Sequence, residues 1–77
     1  MNDEREDEQL FDDFIIAHQQ MNIPKIEQCV NSMSDEGLYN AVYKIDNLSK
    51  MDPGYLICNT ILFSEFTKRP HLRNPFI

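Results

Sequence analysis

Apolar residues recur at three- and four-residue intervals in four stretches of the chain, and each stretch reads as one face of an α-helix. The richest is 52–68, DPGYLICNTILFSEFTK. Asp52 is suited to cap free amide groups there and Pro53 to occupy a first helical position. At 100° per residue, Tyr55, Leu62 and Phe66 share one line, Cys58 and Ile61 spread to one side of it, and Leu56 and Phe63 to the other. Only Thr60, Ser64 and Thr67 make a plainly polar strip. A helix this apolar calls for cover on several sides, from other helices or from another protein.

The three preceding stretches are narrower. The first helix is expected to begin in the acidic run and end near Met21 or Asn22, with a seam of Leu10, Phe14, Ala17, His18 and Met21 and Phe11 alongside. Ile16 falls opposite that seam and Ile15 on its border. Asn22-Ile23-Pro24 breaks the pattern, because proline suits a helix start and disfavours helical geometry in the residue before it. A short second helix follows to about Met33, carrying Ile26, Cys29, Val30 and Met33. Ser34 is the expected cap of a third, roughly 35–49, with acids in its first turn and Leu38, Ala41, Val42, Ile45 and Leu48 facing inward. Tyr39 and Tyr43 form an adjacent stripe on it. Lys50-Met51 is a tight link, which favours antiparallel neighbours.

The expected fold is therefore all-α: a small bundle of about four helices with short connections and an irregular C-terminal tail. Residues 1–8 read as an acidic, partly flexible N-terminal arm, 9–68 as the helical domain, and 69–77 as a tail with Pro70 and Pro75 and no helical period. Leu72, Phe76 and Ile77 are apolar enough to pack back onto the bundle. Both a complete small protein and the N-terminal piece of a helical array fit the pattern, and no internal repeat is visible.

Charge changes the picture in one respect. Seven of the thirteen acidic residues fall within residues 1–13 against Arg5 alone, and the remainder of the chain is balanced, so the net charge of −6 sits in those first thirteen residues. Such a balance disfavours direct binding to nucleic acid or to an anionic membrane surface, both of which need clustered Lys and Arg. It favours a protein partner with a basic surface, or a second copy of the chain. No apolar run approaches the ~20 residues of a membrane span. Cys29 and Cys58 lie on apolar helix faces as small hydrophobes, and MNDERED is neither signal nor transit peptide, so the expected compartment is intracellular, cytoplasmic or nuclear.

The candidate chemistry is thin. With only Gly37 and Gly54, the chain has no glycine-rich phosphate loop, and it holds no Walker, zincin or nucleophile-elbow pattern. Cys29, Cys58, His18 and His71 could bind zinc only by converging from four segments, and a Cys–His nucleophile pair needs an exposed thiol of low pKa. The reading is of no catalytic residue, no metal and no cofactor. It makes the chain a non-enzymatic protein–protein interaction module, whether adaptor, regulator or subunit. Candidate contact residues are Phe11, Ile15 and Ile16 of the segment DEQLFDDFII, Tyr39 and Tyr43, and Ile57 and Ile61. The alternative is a small acidic inhibitor, of the phage or mobile-element type, that occupies a basic nucleic-acid-binding surface on its target.

Overall fold

The structure, a computed structural model, describes residues 3–76, with side chains from Glu6 onward. Ile77, expected to pack back with Leu72 and Phe76, lies outside the described residues, as do the side chains of Asp3, Glu4 and Arg5. Four α-helices follow one another: α1 (Asp3–Gln19), α2 (Ile23–Ser32), α3 (Asp35–Met51) and α4 (Leu56–Lys68), with a single 3-10 turn over Pro53–Tyr55 between the last two. There is no strand among the described residues, and the all-α bundle is the fold. The acidic segment read as an arm is helical from Asp3 and continuous with α1.

Each helix boundary has a local cause. α1 stops because Met21 turns left-handed, at φ 57. The Asn22 N–H then donates to the Ala17 carbonyl at 2.9 Å and the Met21 N–H to the His18 carbonyl at 3.0 Å, the paired bonds of a Schellman ending. That ending corrects one expectation. The apolar spacing puts Met21 on the buried seam, yet it is 77% exposed, because the chain has already left the helical path on which that periodicity depends. Asn22 caps α2 by accepting the Lys25 N–H, with Pro24 in the first turn. Ser34 caps α3 by accepting the Gly37 N–H at 3.0 Å. Asp52 accepts the Gly54 N–H at 2.9 Å, but the turn it opens is 3-10, and the α-helical path of α4 begins only at Leu56.

The core is built from the predicted faces. Phe14, Ile26, Val30, Leu38, Val42, Ile45, Cys58 and Leu62 are fully enclosed, and Ala17, Cys29, Met33, Ala41 and Phe66 are nearly so. α1 packs on α2 and α3, and α4 on α3 and α2. Tyr39 near the start of α3 meets Phe66 near the end of α4, while the 3-10 turn that follows the end of α3 leads straight into the start of α4, so α3 and α4 run antiparallel. The expectation of cover on several sides of α4 holds in part. Thr60, Ser64 and Thr67 face outward as expected, but Leu56 and Ile57 are also open, at 56% and 47% exposure, while Asn59 and Glu65 are buried.

Two polar ties lock the helices together. The Asp7 carboxylate of α1 accepts the Ser34 N–H at 3.0 Å and the Ser34 hydroxyl at 2.5 Å, joining α1 to the cap of α3. Gly37 makes that approach possible, since a Cβ at this position would collide with the Asp7 carboxylate. At the same α2–α3 junction, the Arg69 guanidinium donates to the carbonyls of Val30, Asn31 and Met33 at the C-terminus of α2, to Glu65 at 2.9 Å and to Asp35 at 3.1 Å. A cation among the last carbonyls of a helix meets the negative end of its dipole.

Candidate partner-binding surface

Helix α3 presents Leu38, Val42 and Ile45 to the core, and one step around the helix from them stand Tyr39 and Tyr43. On antiparallel α4, Phe63 and Phe66 come from the same side. The tail after α4 folds back over this face, so aromatic rings from three segments meet. Tyr39 and Phe66 pack edge to face at 5.4 Å between centroids, Tyr43 and Phe76 at 5.3 Å, and Phe63 and Phe76 at 6.2 Å. Separations of this size are those of favourable aromatic pairs. The rings are not all enclosed: Tyr43 is 52% exposed and Phe76 40%. Beside them an open groove of about 460 Å3 runs between α4 and the tail, walled by Phe63, Phe66, Thr67, Leu72, Arg73 and Asn74.

The tail is held in two ways. At its root, Arg69 makes the bonds already described, and His71 Nε2 lies 2.8 Å from Asp35 Oδ2. The His71 hydrogen bond holds the Asp35 carboxyl below its ordinary value of 3.8, against the opposing cost of burial and with help from the Arg69 hydrogen bond and the charges of both partners. Further along, the Tyr39 hydroxyl donates to the Arg73 carbonyl at 3.0 Å and accepts the Arg73 N–H at 3.2 Å. Leu72 packs against the core.

The residues picked from sequence separate into two groups. Tyr39 and Tyr43 join the aromatic face. Phe11, Ile15 and Ile16 lie away on α1: Phe11 is partly buried against Phe14 at 5.8 Å with Lys44 Nζ 4.8 Å above its ring, Ile15 is partly buried against the core, and Ile16 is 50% exposed. Ile61 leans on the core, while Ile57 is exposed. Phe63 and Phe76 belong to the surface and were not among the candidates. Phe63 read as one more core position, and the tail around Phe76 has no period to place it.

Neither cysteine is arranged as a nucleophile. Both thiols are enclosed; burial raises Cys29, partly countered by Lys25, and pushes Cys58 from 9.0 up to about 11. His18 is stacked on Tyr55 at 4.8 Å and His71 is engaged with Asp35. Among the described residues no three His, Cys, Asp or Glu side chains converge on a point where a metal could sit, and no helix is long and apolar enough to cross a membrane. No protein-family model matches the chain, and neither the curated proteins nor the solved structures hold a match to it.

Proposed function

We propose that the chain is a protein–protein interaction module that acts through the aromatic face of α3, α4 and the tail. The observation that carries this reading is the half-exposed Tyr43–Phe76 pair set beside Phe63. Tyrosine and phenylalanine offer large, stiff contact area at small entropic cost, and a cluster of them left partly wet gains by being covered. The acidic face of α1, where Glu6, Glu8 and Asp12 are exposed, would speed approach to a basic partner and add little to the final affinity.

A photo-crosslinking side chain placed at position 43, and separately at position 16, tests this. A defined protein crosslinked from position 43 and absent from position 16 supports the reading, and capture from position 16 alone discards it. A second reading is favoured by the ordering of the acidic segment into a helix: an inhibitor presenting carboxylates to a basic nucleic-acid-binding surface. Competition with DNA for the captured protein, abolished when the acidic residues of 3–13 are neutralised, would select it over the first.

A further inference from the structure

The two ends of the bundle are finished differently. The starts of α1 and α3 and the ends of α2 and α4 share the end closed by the Asp7–Ser34 bond and by Arg69. Glu27 and Val30 of α2 line one hollow with Ile61 and Ser64 of α4, so these two helices run parallel, and His18 stacks on Tyr55 at 4.8 Å. The ends of α1 and α3 and the starts of α2 and α4 therefore meet at the opposite tip. Of the seven large apolar side chains left exposed among the described residues, four are there: Met21 at 77%, Met51 at 85%, Leu56 at 56% and Ile57 at 47%. Charge at the tip is balanced, with Lys50 paired to Asp46 at 3.7 Å and Lys25 and Asp52 both exposed. The acidic run that carries the net charge is centred near residue 8, about 17 Å away along α1 at ~1.5 Å per residue.

We infer that this tip is a self-association surface, on which a second copy of the chain docks tip to tip about a two-fold axis. The inference goes beyond the aromatic-face reading and uses a different part of the molecule. Three features select a second copy as the occupant. Apolar side chains this exposed gain by being covered, and methionine adapts to an opposing surface without a preformed shape. Lys50 and Asp52, both exposed and opposite in charge, flank Met51, and a two-fold contact sets residue 50 of each copy against residue 52 of the other, so that both rim pairs attract. Docking at the tip also holds the two acidic runs about 34 Å apart, several times the ~8 Å screening length at physiological salt, whereas contact through α1 would bring them together. Four apolar residues per copy make a contact smaller than the standard ~800 Å2 per partner, so the dimer is weak and reversible.

Sedimentation equilibrium of the full chain, from about 10 µM to about 1 mM, covers the dissociation constants of a contact this small. The weight-average mass is expected to climb from 9.1 kDa toward twice that value. In NMR spectra of the natural chain, the resonances that move with concentration should be those of Met21, Met51, Leu56 and Ile57, with Tyr43 unmoved. Met51→Glu and Leu56→Glu, both at open positions, should weaken association about tenfold or more with the unfolding midpoint little changed. Lys50→Glu and Asp52→Lys should each weaken it alone, and an equimolar mixture of these two chains should recover it, because the mixed pair has opposite charges at both rims. A mass of 9.1 kDa at every concentration overturns the inference. So do concentration-dependent shifts confined to other residues, association indifferent to Met51→Glu and Leu56→Glu, or a mixture that associates no better than either chain alone. None of these failures removes a crosslink to a partner from position 43, which lies outside the tip, so the aromatic-face reading stands or falls separately.

Discussion

Asp7 accepts both the main-chain N–H and the hydroxyl of Ser34, 27 residues further on, and so one carboxylate of α1 holds the N-terminal cap of α3. The bond is possible because residue 37 has no side chain to stand in its way. Gly37→Ala should therefore destabilise the natural chain by about 1–3 kcal/mol through overpacking against Asp7. In an Asp7→Ala background the same change should be neutral or stabilising, by up to about 1 kcal/mol, because alanine is the better helix former. Chemical denaturation of the four chains of this cycle measures the coupling. Additive effects would show that Asp7 does not lie over Gly37.

Arg69 and Glu65 make the second tie, with side chains 13% and 7% exposed. Removing the arginine leaves the buried Glu65 carboxylate only the exposed Lys68 ammonium at 3.9 Å, and takes a charged donor from three carbonyls at the end of α2. Arg69→Met should cost about 3–5 kcal/mol, the usual penalty for breaking a buried pair from one side. Replacing both partners, Glu65→Met with Arg69→Met, should cost less than Arg69→Met alone. A double variant weaker than the single one would contradict this account of the pair.

Met21 occupies left-handed backbone that costs a residue with a Cβ about 1–2 kcal/mol and costs glycine almost nothing. Its side chain is 77% exposed, so little packing is lost on removing it. Met21→Gly should raise stability by about 1 kcal/mol, read as a higher denaturant midpoint at unchanged slope. A lower midpoint would mean the turn is not the Schellman ending described.

Cys29 and Cys58 are enclosed, and burial raises the pKa of both. In native protein at pH 8 neither should react with a thiol reagent faster than the chain opens, and urea should release both together. Rapid labelling of one cysteine under native conditions would reopen a nucleophilic role for it.

How far the sequence carried depended on how sharply each segment distinguished its faces. α2 and α3 have one apolar face each, and Ile26, Cys29, Val30, Met33, Leu38, Ala41, Val42 and Ile45 are all buried as their spacing requires. α4 is apolar nearly all round, so periodicity could not say that Leu56 and Ile57 would stay wet. Nor could it say that Glu65 would be drawn inside: Arg69 lies only four residues on, but the pair packs where Arg69 also meets the carbonyls that end α2, a contact far away in sequence. The Asp7–Ser34 bond and the Phe76 seat join residues 27 and 33 positions apart in sequence, a separation over which helical spacing carries no signal. Of the candidate surface, Tyr39 and Tyr43 were legible as a stripe beside the core face. The rings that complete it come from a helix with no distinct face and from a tail with no period.

The most direct test of the binding surface is the affinity of the protein crosslinked from position 43, measured by calorimetry for the natural chain and for Tyr43→Ala. Tyr43 is half-exposed, so its loss should leave the unfolding midpoint nearly unchanged while weakening the complex by about 2 kcal/mol, or roughly thirtyfold. Equal affinity for the two chains, at equal stability, would show that the aromatic face of α3, α4 and the tail is not where this protein meets its partner.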